Sequence, residues 1–251
     1  VNNPKLEERI LAYLARYQEI YRVEIYAFVL MGNHYHLVAR FPECNKAAFF
    51  KSFNAIVSKL TASYVKSFEG GKLWARRVRV QAVPGDEDIE NQFFYCALNP
   101  VAAGLCRTLA QYRSYNSFSD AVHDRRRQFK VVNWEKFHNR KRMRTSLKPS
   151  DCETVHTLVY SRLPGFERMD MSEYRQIVLA RLEKRRATVI ENRLAEGKGF
   201  ANAESLKRQT PGAKPRSSKT SKRDSFRPLV LTLCLEVKQN FLDWYFGMLQ
   251  A

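Results

Sequence analysis

The chain has 251 residues, 45% of them hydrophobic, which is enough for a sizeable core and argues against intrinsic disorder. Its formal charge of +18, from 43 Lys and Arg against 25 Asp and Glu, predicts a polyanionic partner rather than an acidic small molecule. No run approaches the ~18 apolar residues of a membrane-spanning helix, no signal-peptide pattern is present, and the five cysteines show no CxxC spacing, so we expect a cytoplasmic protein with reduced thiols and no membrane partner.

The positive charge is distributed unevenly along the chain. Residues 1–110 carry 14 basic and 10 acidic residues, whereas residues 111–251 carry 29 basic and 15 acidic residues. We therefore predict a near-neutral domain over 1–110, followed by a basic, largely helical DNA-binding extension over 111–251.

Hydrophobic periodicity predicts alternating helices and strands in the first 110 residues. The predicted elements are a helix over 5–20, a hairpin over 22–41, a helix over 46–68, a strand over 72–83 and a helix from 86 to about 98. This order is that of a ferredoxin-like α+β sandwich with an antiparallel sheet, without its first strand. Either the sequence is a truncated product or another segment takes the place of that strand.

Two histidines lie one residue apart on the second strand of the predicted hairpin. Gly32 and Asn33 predict a tight turn, after which the two-residue period of a strand places His34 and His36 on one face. Neutral imidazole is the commonest protein metal ligand, so the pair can form half of a metal site. Taken alone, such a pair is more often satisfied by hydrogen bonds, and the pattern leaves both interpretations open.

The predicted helix that starts at residue 86 carries a polar stripe that includes Tyr95 and Asn99. Residues four apart lie one turn apart on a helix, so the hydroxyl and the amide oxygen can face a common point. A tyrosine hydroxyl can act as a nucleophile, and an amide oxygen can bind a hard cation. Tyr95 can also be a core aromatic residue, because Phe93 and Phe94 precede it.

Basic residues cluster in two segments that suit contact with a nucleic-acid backbone. The predicted strand over 72–83 holds three arginines, and residues 125–148 hold ten basic residues and one acidic residue interleaved with aromatic side chains. The predicted DNA-binding residues are Arg76, Arg77, Arg79, Arg125, Arg126, Arg127, Arg140, Lys141 and Arg142. Charged residues on strand edges also prevent aggregation, which is a second explanation for the strand arginines.

The remainder of the chain divides into three segments. Residues 151–196 have a helical pattern that can form a small three-helix unit. Residues 201–228 carry eight basic and two acidic residues among Ser, Thr, Pro and Gly, which predicts a flexible arm. Residues 228–249 are largely apolar, and we expect them to pack on the rest of the protein as a strand or a helix.

Three sequence blocks in the same order resemble a known family. Residues 31–37 (MGNHYHL) contain the histidine-hydrophobe-histidine motif of HUH single-strand nucleases, and residues 73–77 (LWARR) and 95–105 (YCALNPVAAGL) are similar to further blocks of one family. Over residues 5–110 the chain resembles the IS200-like, single-tyrosine transposases, and most closely the REP-associated tyrosine transposases. It departs from them in the missing first strand and in Ala102, where a basic residue is common.

The resemblance implies a metal-dependent single-stranded DNA endonuclease and strand transferase, acting on hairpin-bearing DNA as a monomer or homodimer. It implies that Tyr95 attacks the scissile phosphate to form a 5′-phosphotyrosine, and that His34, His36 and Asn99 hold one Mg²⁺ or Mn²⁺. The free 3′-hydroxyl can later reverse the step without ATP, because the covalent link keeps the phosphodiester energy.

Two other functions fit parts of the same pattern. A ferredoxin-like sheet with aromatic residues and a basic tail can be a non-catalytic nucleic-acid-binding module, in which the metal residues are incidental. An HUH relaxase or replication initiator would use the same chemistry, but the spacing between Tyr95 and Asn99 favours the transposase branch.

Overall fold

A computed structural model describes residues 3–66, 68, 71–75, 77–142, 146–201 and 228–250. Its backbone divides into two compact units, the first formed by Val1–Ala75 with Arg113–Arg162 and the second by Arg76–Tyr112 with Leu163–Ala251. Each unit thus takes residues from both sides of the boundary expected at residue 110. Most of the predicted flexible arm, residues 202–227, lies outside the described residues.

The first unit begins with α1 (Pro4–Tyr21), which confirms the first predicted helix. The Asn3 side chain caps it by accepting a hydrogen bond from the Leu6 N–H. Pro4 suits the first helical position, because a backbone N–H there would have no acceptor within the helix. The helix ends where Arg22 adopts a left-handed conformation. Along its apolar stripe Leu6, Ile10 and Leu14 are buried, whereas Tyr17 is half-buried and Ile20 is exposed.

A hairpin follows, as predicted, with β1 (Glu24–Leu30) paired antiparallel to β2 (Tyr35–Arg40). The helix α2 (Lys46–Tyr64) comes next and ends four residues before the predicted limit of Phe68, because Val65 turns into an extended conformation. Aromatic rings of β1 and α2 pack together, with the rings of Phe28 and Phe53 6.2 Å apart. This contact fixes the hairpin on a buried helix face.

The edge of β1 opposite β2 is partly filled by a segment distant in sequence. The Leu30 N–H donates to the Tyr115 carbonyl at 3.0 Å, and the Ser117 N–H donates to the Phe28 carbonyl at 2.9 Å. The Ser161 N–H donates to the Ile25 carbonyl at 2.7 Å near the other end of the strand. Residues beyond 110 therefore take up part of the strand edge for which the predicted fold lacked a partner.

The rest of the first unit contains a short helix α4 (Phe118–Val122), a strand β4 (Arg127–Val132), a helix α5 (Trp134–Lys141) and a strand β5 (Glu153–Leu158). The strands β4 and β5 pair antiparallel, and both contact α1. The prediction of helices throughout 151–196 is wrong for its first part, because residues 153–158 alternate between exposed and buried positions on a strand.

The second unit contains β3 (Gln81–Ala82), α3 (Asp86–Ala102), α6 (Met171–Ala195), β6 (Leu229–Val230) and α7 (Leu235–Gln250). The strand predicted over 72–83 is wrong in extent, because only two of its described residues pair, parallel to β6. The predicted three-helix unit reduces to the single long helix α6, which packs against α3. The last predicted segment packs in part as expected, because Leu229–Val230 pairs with β3, whereas no residue of α7 from Leu235 to Leu249 is buried.

The described strands form three two-stranded sheets, two antiparallel and one parallel. The α+β class is confirmed, whereas a continuous ferredoxin-like sheet is not seen among the described residues. None of the described helices is both long enough and apolar enough to cross a membrane.

Candidate active site

The two histidines converge at the start of β2 in the first unit. His34 lies directly before the strand and His36 lies within it, and their Nε2 atoms are 3.2 Å apart. Their rings meet edge to face, with centroids 5.0 Å apart. The Nε2 atoms of the predicted pair therefore face each other, with His34 exposed and His36 half-buried.

A hydrogen bond to Asn33 orients the first ring. The Nδ1 atom of His34 lies 2.7 Å from the Asn33 Oδ1, an acceptor, so that nitrogen carries the proton and the Nε2 lone pair is free to act as a ligand. A fixed tautomer of this kind is what a metal-binding histidine needs. The sequence predicts Asn33 only as a turn residue. Its role in orienting His34 could have been anticipated from its position directly before that histidine.

The distance between the two imidazole nitrogens fits a shared metal ion. Bonds of about 2.1 Å from a metal to two neighbouring ligands place the ligand atoms about 3.0 Å apart in octahedral and about 3.4 Å apart in tetrahedral geometry. The Nε2 atoms of His34 and His36, at 3.2 Å, lie within this interval. Without a metal, one ring can donate a hydrogen bond to the other across the same gap.

The protonation states of the pair also suit a metal ligand. Partial desolvation lowers the pKa of His34 below its ordinary value of 6.5. Desolvation, together with the charge of the neighbouring His34, lowers the pKa of His36 as well. Both rings are therefore neutral at neutral pH, the form that binds metal.

Tyr35 holds the strand between the two histidines in place. Its hydroxyl donates to the Asn54 Oδ1 at 2.7 Å, and its ring packs edge to face on Phe53 and Trp74. The Trp74 indole N–H donates to the Asn54 carbonyl at 3.0 Å. Because the intervening side chain is fixed on α2, the imidazoles sit on a rigid backbone.

The tyrosine lies on α3 in the second unit. Tyr95 is 56% exposed, whereas the adjacent Phe93 and Phe94 are each 1% exposed. The interpretation of Tyr95 as one more core residue is therefore wrong. Asn99, one turn further along the helix, is half-buried. The structure confirms that these two residues share a helix face.

Arginines of α6 contact the helix that carries Tyr95. Arg181 forms an ion pair with Glu90, and the Arg185 guanidinium donates to the Asn91 Oδ1 at 2.8 Å while lying 4.7 Å from the centre of the Phe94 ring. These contacts engage the turn of α3 just before the tyrosine. The sequence does not indicate these contacts, because they join residues more than 90 positions apart.

A further arginine holds the C-terminal end of the tyrosine helix. The Arg193 guanidinium donates to the carbonyl oxygens of Ala102 and Gly199, and it packs 5.4 Å from the centre of the Phe200 ring. Gly104 follows the helix with a φ of +74°, and a Cβ atom there would lie 2.0 Å from the Arg193 Nη2. Only glycine fits this position without displacing the guanidinium.

The predicted DNA-binding residues fall into three groups. Arg76 lies outside the described residues, and Arg127 forms an ion pair with Asp120, whose side chain is 2% exposed. Arg127 therefore neutralises a buried carboxylate, a structural role that the prediction overlooked. The remaining predicted residues are exposed, namely Arg77, Arg79, Arg125, Arg126, Arg140, Lys141 and Arg142.

One comparison with known proteins gives a match, and it covers the first part of the chain. Residues 1–95 match the family model described as "Transposase IS200 like", a range that contains both histidines and ends at Tyr95. The match supports the resemblance to IS200-like transposases for these residues, and it does not distinguish the REP-associated branch. No curated protein and no solved structure matches the chain.

Within the described part of the chain, no third His, Cys, Asp or Glu joins His34 and His36 at metal-binding distance. The remaining ligand of the predicted set is the amide oxygen of Asn99. The donor chemistry of the two neutral imidazoles fits a divalent cation, Mn²⁺ somewhat better than Mg²⁺.

Proposed function

We propose that the protein is a metal-dependent single-stranded DNA endonuclease and strand transferase of the IS200-like type, a transposase acting on hairpin-bearing DNA. The observation that carries the proposal is the convergence of the His34 and His36 Nε2 atoms at 3.2 Å, within the range that matches the transposase family model. The exposed Tyr95 supplies a nucleophile of the required type.

In the proposed reaction the Tyr95 hydroxyl oxygen attacks the scissile phosphorus. A bond forms between that oxygen and the phosphorus as the bond to the 3′-oxygen breaks. The phenolic proton passes to water, and the leaving 3′-oxygen takes a proton from water. The products are a 5′-phosphotyrosine and a strand with a free 3′-hydroxyl. Attack of a 3′-hydroxyl on the phosphotyrosine reverses these changes and joins the strands.

We assign His34, His36 and Asn99 as the residues that would hold Mg²⁺ or Mn²⁺. When bound, the cation would polarise the phosphate and offset the negative charge of the transition state. The neutral state of both imidazoles, which their lowered pKa values favour, leaves their lone pairs available at neutral pH.

Burial argues against Tyr115, one of the two tyrosines that follow Tyr95 most closely in the sequence, as the nucleophile. Tyr115 is 7% exposed, and its hydroxyl donates to Asp120 at 2.8 Å and lies 2.7 Å from the Tyr160 hydroxyl. Burial raises the pKa of the Tyr115 hydroxyl well above its ordinary value. Tyr115 is therefore unsuited to attack a bulky phosphodiester, and Tyr112, half-buried, is the remaining competitor.

The test is to incubate the full chain with hairpin-bearing single-stranded DNA and Mn²⁺, and to look for a covalent adduct on a denaturing gel. We expect an adduct whose formation stops when a chelator is present. Binding of the DNA without any adduct would overturn the enzymatic proposal and favour the non-catalytic binding module. An adduct formed only on plasmid-transfer or replication origins would favour the relaxase or initiator instead.

A further inference from the structure

An exposed tryptophan lies on the basic helix α5 of the first unit. Trp134 is 47% exposed, and its ring lies on that of His138 with centroids 5.9 Å apart and planes 27° apart. Its edge meets Phe137, which is 5% exposed and anchors the helix in the core. The indole is therefore held in position while about half of its surface faces water.

Two cations share this face of α5. Lys141 is the last residue of α5, and Arg142 follows it in a helical backbone conformation. At 100° per residue, both fall within the same third of the helix surface as Trp134 and His138, and both are exposed. We call these four residues the stacking face. Lys136 is also exposed but lies on the opposite side of the helix, which makes it a matched control cation.

We propose that the stacking face binds a single-stranded segment of the DNA substrate, with a base stacked on Trp134 and the backbone neutralised by Lys141 and Arg142. This inference rests on the proposed function, which supplies the single-stranded partner. Proteins that bind single strands combine positive charge with exposed aromatic rings in this manner.

The surrounding charge favours DNA over a protein partner. Residues 125–148 carry ten basic residues and one acidic residue, so the face lies in the strongly basic segment of the chain. Trp244 offers a contrast, since it is 60% exposed on α7, a helix with two acidic residues and one basic residue. An exposed indole in that setting lacks the cations that a phosphate backbone requires.

The experiment measures affinity for a short fluorescein-labelled oligothymidylate, using the full chain with Tyr95→Phe so that cleavage does not interfere. We expect Trp134→Ala to weaken binding about tenfold to hundredfold without changing its salt dependence. Trp134→Phe, which keeps an aromatic ring, should restore most of the affinity. Trp244→Ala is the matched exposed control and should leave binding unchanged.

An abasic strand separates stacking from a general effect on the fold. On a strand of the same length without bases, Trp134→Ala should lose little further affinity, because no base remains to stack. An equal loss on both strands, or no loss on oligothymidylate, would overturn the inference. Because this assay uses a variant without the nucleophile, failure to form an adduct in the test of the proposed function is a separate result.

The cations of the face are tested by their effect on salt dependence. Lys141→Gln should reduce the slope of log affinity against log salt by about 0.7, the value for one phosphate contact on a single strand. Lys136→Gln, on the opposite side of α5, should leave the slope unchanged. Equal slopes for the two variants would contradict the assignment of the backbone to the stacking face.

Discussion

At the scale of single residues, the site depends on the states of a few polar side chains. His34 and His36 have neutral rings and converging nitrogens, and Asn33 fixes one tautomer. Tyr95 is set apart from its buried neighbours by exposure alone. Each of these features can be removed by a substitution that leaves the backbone in place.

Replacing Tyr95 with phenylalanine should abolish the covalent adduct while leaving DNA binding nearly normal. The ring is more than half exposed, so the free energy of unfolding should change by less than about 0.5 kcal/mol. The measurement is adduct formation on a denaturing gel beside urea unfolding. Tyr112→Phe is the control and should keep the adduct, whereas an adduct that survives in Tyr95→Phe would place the nucleophile elsewhere.

The double variant His34→Ala with His36→Ala should lose Mn²⁺ binding and cleavage but keep its fold, since neither imidazole is fully buried. Calorimetric titration with Mn²⁺ and circular dichroism measure the two effects. A double variant that fails to fold would instead make the histidines structural.

The same pair gives a prediction for pH. Both folded-state pKa values lie below the ordinary 6.5, so Mn²⁺ binding should persist as the pH falls through 6.5 and be lost only at lower pH. Between the ordinary pKa of 6.5 and the lower folded-state pKa values, the unfolded chain binds more protons than the folded chain. The metal-free protein should therefore lose stability as the pH falls through this range. The double alanine variant should show a smaller loss, and identical profiles would argue against the lowered pKa values.

At the scale of elements, the tyrosine helix α3 depends on α6, a helix from the basic extension. Arg181 and Arg185 contact its middle, and Arg193 binds the carbonyl group of its last residue, Ala102. The C-terminal residues therefore support the helix that carries the proposed nucleophile, in addition to any contact with DNA.

Gly104→Ala should destabilise the end of α3. The new side chain would require a left-handed conformation and would displace the Arg193 guanidinium, for a loss of about 1–3 kcal/mol by urea unfolding. Gly165→Ala is the matched control, because its φ is +82° but no atom lies within 4 Å of the added carbon. Equal losses in the two variants would mean that the contact with Arg193 adds nothing beyond backbone strain.

At the scale of the whole molecule, both compact units are assembled from segments on the two sides of residue 110. The fragment 1–110 would lack Tyr115–Ser117 and Ser161, which bond to the edge of β1, and it would also lack α6. We expect this fragment to show no cooperative unfolding by urea, in contrast to the full chain. A cooperative transition in the fragment would show that the first 110 residues fold without these partners.

The basic segment 202–227 gives a second prediction at this scale. It contains eight Lys and Arg residues, and replacing all eight with glutamine keeps the chain length while removing the charge. If about half of them contact phosphate, the salt slope of single-strand binding should shrink by roughly 3. Adduct formation at Tyr95 should continue, and an unchanged slope would mean that this segment does not touch the DNA backbone.

The sequence by itself determined the local elements and the chemistry that they carry. Helical periodicity predicted α1 and the shared helix face of Tyr95 and Asn99. Strand periodicity predicted that the two histidines lie on one face of the hairpin. These predictions succeeded because apolar patterning, turns and caps depend on residues close together in the chain.

Only the tertiary structure decided which distant segments pair. The edge of β1 bonds to residues 115–117 and 161, residues 153–158 form a strand beside β4, and Arg127 neutralises the buried Asp120. The predicted strand over 72–83 failed for the same reason, since a strand is stabilised by a partner and the pattern alone supplies none. Long-range hydrogen bonds and ion pairs, which leave no periodic trace in the sequence, fixed these features.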